Sequence, residues 1–131
     1  MFSEKGPTVS LLDDDTAVLK ATSRLLRSAG WEAEAFNDPV QFLDYASSSR
    51  PRVVVLDMLM PVMNGLEVQD KLRRISPSTQ VVILTSKDDE VTREKATEQG
   101  AIAFLTKPVV EEEFLSAIET AFSKDNGPGQ V

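Results

Sequence analysis

The sequence has no cysteine and no histidine. Without cysteine, the chain has no disulfide bond, no thiolate zinc site and no thiol nucleophile, which agrees with a cytoplasmic location. Without histidine, it has no imidazole for general base catalysis, for metal binding or for a phosphohistidine intermediate. Any phosphoryl group that this chain handles must therefore come from a donor on another molecule.

Positive charge and long apolar stretches are also scarce. The 14 basic residues against 21 acidic ones give a net charge of −7, which argues against nucleic-acid binding because that binding depends on neutralising phosphates. No apolar run approaches the roughly 20 residues that span a bilayer, so we expect no membrane segment. The first seven residues lack the basic-then-apolar order of a signal peptide.

The length of 131 residues suits one domain with its own core. We expect an N-terminal tail at 1–7, one domain at 8–122 and a C-terminal tail at 123–131. The last segment is rich in glycine and polar residues. It is therefore either a natural end or the start of a linker to a further domain.

Short apolar runs alternate with amphipathic stretches along the chain. The pattern predicts strands at 9–12, 31–36, 53–56, 81–84 and 101–105. It predicts helices at 17–29, from 39 onward, and at 64–75, 89–99 and 111–122, with a loop at 47–51. Strands that alternate with helices in this way indicate an α/β fold, with a parallel five-stranded sheet and helices on both faces.

Polar residues follow four of the predicted strands. Asp13 and Asp14 follow the first strand, Asp57 the third, Thr85 the fourth and Lys107 the fifth. In an open parallel sheet, ligands bind beyond the carboxyl ends of the strands. If these strands are neighbours, the five side chains converge on one pocket.

Each of these residues also has an ordinary structural explanation. Asp13, Asp14 and Asp15 could form an N-cap cluster for the first helix, Thr85 could be a loop hydroxyl and Lys107 a solvated lysine beside a proline turn. Asp57 is harder to explain in this way, because no helix begins in the Met58-Leu59-Met60 segment that follows it. The ordered set of strand ends favours a functional site.

Three clustered carboxylates repel one another, by about 4 kcal/mol for each pair at about 4 Å and an effective dielectric of about 20. A hard cation such as Mg²⁺ offsets this repulsion. One carboxylate can then act as a nucleophile and form an acyl phosphate. Lys107 would stabilise the charge on the transferred phosphoryl oxygens.

Four motifs in this order match a known family. They are Leu12-Asp13-Asp14, Leu56-Asp57 with Met60-Pro61 and Gly65, Leu84-Thr85-Ser86, and Phe104-Leu105-Thr106-Lys107-Pro108. The chain resembles the receiver domain of two-component response regulators. The resemblance implies a flavodoxin-like (βα)5 fold, a doubly wound parallel five-stranded sheet with strand order 2-1-3-4-5. Residues 36–43 and 60–69 look most like receivers attached to helix-turn-helix transcription regulators.

The resemblance also implies the chemistry of the site. Asp57 would be the phosphoacceptor, and Mg²⁺ would be bound by Asp13, Asp14, Asp57 and the backbone carbonyl of Leu59. A sensor histidine kinase or phosphotransfer protein would supply the phosphoryl group. An output domain beyond the C-terminus and a homodimer formed on phosphorylation are further implied partners.

The remaining implied roles concern transmission of the signal. Thr85 and Lys107 would sense and stabilise the phosphoryl group. Phe104 would be the switch aromatic that changes the surface of the fourth helix, last strand and last helix. Lys107-Pro108 would be a cis peptide, which proline makes accessible. Leu59 and Lys87 would flank the phosphoryl group, where their side chains would affect the access of the hydrolytic water.

Two other functions compete with a phosphoryl-accepting switch. The Asp13-Asp14-Asp15-Thr16 segment is superficially similar to the first-strand motif of haloacid dehalogenase phosphatases, which would make the chain an enzyme. Asp57 at a second strand end and the short chain argue against that reading, so we expect no turnover enzyme. The other alternative is a receiver-like interaction module that is not phosphorylated.

Overall fold

The computed structural model describes residues 7–124. Within this range, five strands alternate with five helices: β1 (Thr8–Leu12), α1 (Thr16–Ser28), β2 (Glu32–Phe36), α2 (Pro39–Ser49), β3 (Val53–Leu56), α3 (Gly65–Ile75), β4 (Gln80–Thr85), α4 (Glu90–Glu98), β5 (Ala103–Thr106) and α5 (Glu111–Ser123). All neighbouring strands pair in parallel, and their order is β2-β1-β3-β4-β5. The predicted fold class and strand order are confirmed.

The position of each strand in the sheet follows from its composition. Every residue of β3 and β4 is buried, because helices cover both faces of a parallel sheet and exclude water from its central strands. By contrast, β2 reads Glu-Ala-Glu-Ala-Phe and is only half-buried or exposed. It lies at one edge of the sheet, as its alternating pattern predicts.

The core has two parts, one on each face of the sheet. Val9, Leu11 and Val55 point to the face that α1 and α5 cover, where Phe114 and Ile118 complete the packing. The other face packs against α2, α3 and α4 through Leu12, Val54, Leu56, Phe42, Val68, Leu72 and Ala96. Alternating strand residues therefore enter different cores, as the two-residue repeat of a strand requires. Both layers hold the carboxyl ends of the strands in place.

Side-chain caps begin four of the five helices. Asp15 caps α1 by accepting a hydrogen bond from the backbone N–H of Ala17 at 2.9 Å, and Asp38 and Asp89 cap α2 and α4. In α3, Asn64 and Glu67 form a reciprocal capping box. Among the three aspartates at residues 13–15, Asp15 is the N-cap of α1.

The predicted loop at 47–51 is wrong in its first three residues. Ser47 and Ser48 belong to the last turn of α2, and their hydroxyls donate to carbonyls three residues earlier. The helix ends at Ser49, and its C-cap residue Arg50, immediately before Pro51, has a φ of 47°. A serine hydroxyl can compete with the backbone hydrogen bonds of a helix and so favour a loop. Here the hydroxyls donate to carbonyls of the same helix, and the helix continues.

Six strand boundaries also differ from the predictions, among them the start of β1 at Thr8, the start of β4 at Gln80 and the end of β5 at Thr106. Strand β2 begins at Glu32, because Trp31 stacks on the ring of Phe122 instead. Strand β5 begins at Ala103, two residues later than expected. Thr85 is the last residue of β4, paired with Thr106, and does not follow the strand. In residues 7–124, no helix has the length and apolar character needed to cross a membrane.

Candidate functional site at the carboxyl edge of the sheet

The sheet register brings the predicted site residues to one edge. Leu12 pairs with Leu56, and hydrogen bonding continues one residue further, where the Asp57 N–H donates to the Leu12 carbonyl at 3.1 Å. Where β4 pairs with β5, the Lys107 N–H donates to the Thr85 carbonyl at 2.9 Å. Because these neighbouring parallel strands end at the same edge of the sheet, the side chains that follow them lie close together.

Three carboxylates form an acidic cluster at this edge. One carboxylate oxygen from each of Asp13, Asp14 and Asp57 lies within 4.8 Å of the others. Asp13 and Asp57 are only 4% and 3% exposed, whereas Asp14 is exposed. Clustered carboxylate oxygens that are open to solvent on one side are the donor set that Mg²⁺ prefers, since this ion keeps several waters. The residues therefore fit a magnesium ion.

Lys107 supplies the positive charge of the cluster. Its Nζ lies 2.9 Å from Asp13 Oδ2 and 3.5 Å from Asp57 Oδ2. Burial raises the pKa of the Asp13 carboxyl, and the bond from Lys107 lowers that pKa by less. Burial alone would lower the pKa of Lys107, but Asp13 and Asp57 outweigh it and raise the pKa. The lysine is therefore held as a cation against the two buried carboxylates.

Backbone groups orient the two buried carboxylates. Asp57 Oδ1 accepts from the Leu59 N–H at 3.2 Å, and Asp13 Oδ1 accepts from the Asp15 N–H at 2.9 Å. In each residue the Oδ2 atom is the one that faces Lys107. Both carboxylates thus have one oxygen bound to the chain and one oxygen in the pocket.

Gly65 packs closely against the backbone of Asp57 and Met58. The sequence did not predict this contact. A Cβ atom at this position would lie 2.4 Å from the Asp57 carbonyl oxygen and 2.8 Å from Met58 Cα. The Gly65 N–H also donates to the Met58 carbonyl at 3.1 Å. Only glycine fits this close approach of α3 to the backbone. The Asn64-Gly65 pair in the motif was the available signal.

Thr85 is fully buried at the end of β4. Its Oγ1 accepts a hydrogen bond from the Lys87 N–H at 3.1 Å, so the hydroxyl is linked to the loop that leads into α4. Its carbonyl holds the backbone of Lys107. The bond between Lys107 and Pro108 is cis, as the resemblance implies.

Phe104 lies on β5, next to Ile83 of β4, and is half-buried. The guanidinium of Arg93 on α4 lies 4.6 Å from the centroid of its ring, and Arg93 also pairs with Asp88. Sequence reasoning missed Arg93 and Asp88. The packing of α4 on β5 creates the contact between Arg93 and Phe104, and no local sequence pattern predicts it.

The structure brings together Asp13, Asp14, Asp57 and Lys107, with Leu59 hydrogen-bonded to the cluster and Thr85 bonded through its carbonyl to Lys107. Phe104 lies apart from this group, beneath α4. The arrangement can hold a divalent cation and present one buried carboxylate oxygen beside an ammonium group. This is the chemistry of phosphoryl transfer to a carboxylate.

Comparison with known proteins agrees with this geometry. Residues 9–119 match the family model described as the response regulator receiver domain. The chain is 38% identical over 120 residues to the response regulator protein TodT of Pseudomonas putida, covering 92% of this chain and 53% of TodT. It is 40% identical over 116 residues to the tetrathionate response regulatory protein TtrR of Salmonella typhimurium, covering 88% and 56%.

A solved structure is similar over nearly the whole chain. The response regulator receiver protein from Burkholderia phymatum superposes with a TM-score of 0.79 at 37% identity, covering 92% of this chain and 98% of that one. This chain belongs to the response regulator receiver domain family. Its predicted family is therefore confirmed, and the family is one of signalling switches in two-component systems. The chain spans about half the length of the curated relatives TodT and TtrR.

Proposed function

We propose that this chain is a phosphoryl-accepting switch, and that Asp57 receives its phosphoryl group from a histidine of a partner kinase or phosphotransfer protein. The observation that carries the proposal is the placement of the buried Asp57 carboxylate, 3.5 Å from Lys107 Nζ and clustered with Asp13 and Asp14. An Asp57 oxygen would attack the phosphorus in line. The phosphorus–nitrogen bond breaks, and the imidazole leaves with the electron pair and takes up a proton.

Mg²⁺ would be held by the carboxylates of Asp13, Asp14 and Asp57 and by the backbone carbonyl of Leu59. When bound, the ion neutralises charge on the carboxylates and on the phosphoryl oxygens. Lys107 contributes a further positive charge, and its bond to Asp13 keeps the ammonium in position. Asp57 then needs no general base, because the attacking oxygen of a carboxylate carries no proton to be removed.

Thr85 and Phe104 would pass the change to the surface. A phosphoryl group adds up to about two negative charges and strong acceptor oxygens, and the Thr85 hydroxyl can donate its proton to one of them. Thr85 is bonded to the Lys87 N–H, so its movement shifts the loop before α4. Phe104 lies beneath α4 and would reorient with it, which changes the surface of α4, β5 and α5.

The partners of this switch would lie on other molecules or beyond this chain. TodT and TtrR, which are named response regulators, are about twice as long as the stretch that matches this chain. We therefore propose that the chain is the regulatory module of a cytoplasmic regulator, with an output of the transcription-regulating kind. A homodimer through the α4, β5 and α5 surface would form on phosphorylation.

Labelling with radioactive acetyl phosphate in the presence of Mg²⁺ tests the phosphoacceptor. The wild-type chain should take up acid-stable, hydroxylamine-sensitive label, and Asp57→Asn should take up none. Asp44→Asn is a matched control, because Asp44 is exposed on α2 and should label like the wild type. Undiminished label in Asp57→Asn would disprove the assignment. Steady turnover of a phosphomonoester would instead support a phosphatase, and no labelling of the wild type by acetyl phosphate or a kinase would support an interaction module.

A further inference from the structure

The side chain of Arg93 connects three separate parts of the fold. Arg93 lies near the start of α4, and its guanidinium carbon lies 4.6 Å from the centroid of the Phe104 ring on β5. Its Nη2 atom also donates a hydrogen bond to Asp88 Oδ1. Because Asp88 belongs to the segment between β4 and α4, one guanidinium links this segment, α4 and β5.

The position of Arg93 within α4 indicates that these contacts stabilise it there. The helix begins at Glu90 and is capped by Asp89, so Arg93 lies close to the amino-terminal end of the helix. The helix dipole places partial positive charge at this end, which disfavours a nearby cation. Attraction to the carboxylate of Asp88 and to the face of the Phe104 ring offsets this cost.

Phe104 lies on the same face of the sheet as the Thr85 side chain. It pairs with Ile83, and its ring is partly buried against the core cluster that contains Ile83 and Ala96. Thr85 is two residues beyond Ile83 on β4, so its side chain points to this face as well. A change of rotamer at Phe104 moves the ring by several ångströms, which breaks the contact with Arg93 unless the guanidinium follows the ring.

Asp88 prevents the guanidinium from following. The segment that carries Asp88 is held at both ends, since the Lys87 N–H donates to Thr85 Oγ1 at 3.1 Å and Asp89 Oδ1 accepts from the Thr92 N–H of α4 at 2.8 Å. The carboxylate of Asp88 is therefore fixed relative to the end of β4 and the start of α4. While these hydrogen bonds persist, the guanidinium stays where the ring now lies.

We propose that Arg93 is a positioning residue that holds Phe104 in the orientation of the unphosphorylated chain, with Asp88 as its anchor. This inference rests on the proposed function, because it requires Phe104 to reorient when Asp57 is phosphorylated. Movement of Thr85 toward the phosphoryl group pulls on the Lys87 N–H and displaces Asp88 from Arg93. The phosphoryl group thereby releases the ring, and in its absence the contact opposes activation.

The size of the effect follows from the exposure of the two charged side chains. Those of Arg93 and Asp88 are 44% and 50% exposed, so solvent screens their ion pair and the pair contributes little by itself. A cation over an aromatic ring at such an exposed site favours the contact by a factor of about two to five. Arg93 therefore sets a threshold for the switch and does not block it.

Titration of the whole chain with beryllofluoride in the presence of Mg²⁺, followed by NMR of the β5 amides, tests the proposal. Arg93→Met removes the cation and should lower the midpoint of the titration about two- to fivefold, because less free energy is spent on releasing Phe104. The direction is diagnostic, since losing a positive charge by itself weakens the binding of an anion. Lys95→Met removes another exposed cation from α4 and should not lower the midpoint.

Asp88→Asn tests the anchor separately from the contact with the ring. It should lower the midpoint in the wild-type background and have no further effect in Arg93→Met, because the anchor acts only through the arginine. If Arg93 merely stabilised the fold, its substitution would lower the urea midpoint of unfolding and leave the beryllofluoride midpoint unchanged.

An unchanged or higher beryllofluoride midpoint in Arg93→Met, or an equal decrease in Lys95→Met, would overturn the role of Arg93 and leave the proposed function intact. A wild-type chain that does not respond to beryllofluoride and Mg²⁺ would instead overturn the phosphoryl switch, and the role of Arg93 with it. If Arg93→Met does not fold, Arg93→Gln also lacks the cation and should give the same decrease.

Discussion

Replacing Gly65 by alanine tests how the phosphoacceptor is held. The new Cβ would lie 2.4 Å from the Asp57 carbonyl oxygen and 2.8 Å from Met58 Cα, and both contacts are with backbone. The Gly65 N–H is bonded to the Met58 carbonyl at 3.1 Å, so α3 cannot retreat without losing that hydrogen bond. The strain must therefore move the backbone that carries Asp57.

The expected loss of stability is modest, and the expected loss of function is larger. Forcing an extra methyl group into packed space costs about 1–3 kcal/mol, and replacing glycine by alanine in a helix returns about 0.5–1 kcal/mol. The net destabilisation should be about 0–2.5 kcal/mol, which lowers Tm by at most roughly 10 °C in a domain of this size. Displacement of a reacting group by about 1 Å can cost on the order of 100-fold in rate.

The measurement compares the rate of labelling by acetyl phosphate with the urea midpoint of unfolding. Gly30→Ala is the control, since Gly30 has φ +97° and nothing lies within 4 Å of a Cβ built there. That variant should lose about 1–2 kcal/mol through the left-handed conformation alone and should label at the wild-type rate. If Gly65→Ala labels as fast as Gly30→Ala, the close contact does not position Asp57 and the reasoning fails.

Two further predictions concern the charges around Asp57. Asp13→Asn should raise the free energy of unfolding, measured in urea at neutral pH without divalent ions, because burial raises the pKa of Asp13 above 3.8 and so disfavours its charged form. The gain should vanish as the pH falls below 3.8, where Asp13 is protonated in the folded and the unfolded chain. A gain that persists in acid would contradict the prediction. In the wild type, Mg²⁺ at about 100 times its Kd should add about 2.7 kcal/mol to the free energy of unfolding. The same urea assay should show no such increase for Asp13→Asn. Lys107→Ala should still bind Mg²⁺ in a fluorescence or calorimetric titration but should fail to change its NMR spectrum at α4 and β5 with beryllofluoride. A wild-type response in that variant would remove Lys107 from the switch.

Much of the site could be predicted from single residues. Asp57, Thr85 and Lys107 each lie at or just beyond the end of an apolar run, and parallel pairing makes those ends meet. The predicted roles of these residues remain proposals, because proximity alone does not show phosphorylation. The edge position of β2 was also predictable, since only an edge strand can carry glutamate at alternate positions.

Other features could not be read from local patterns. The serines at the end of α2 looked like a loop, but their hydroxyls bond to carbonyls one turn back. The placement of Arg93 over Phe104 depends on how α4 packs on β5.

The sequence by itself determined the alternation of strands and helices, the family, and the set of charged groups at the strand ends, because these follow from hydrophobic periodicity and from residue type. The tertiary structure alone decided which oxygens face Lys107 and that α3 meets the Asp57 backbone at Gly65. These are distances between atoms far apart in the chain. Only the packing of helices on both faces of the sheet sets them.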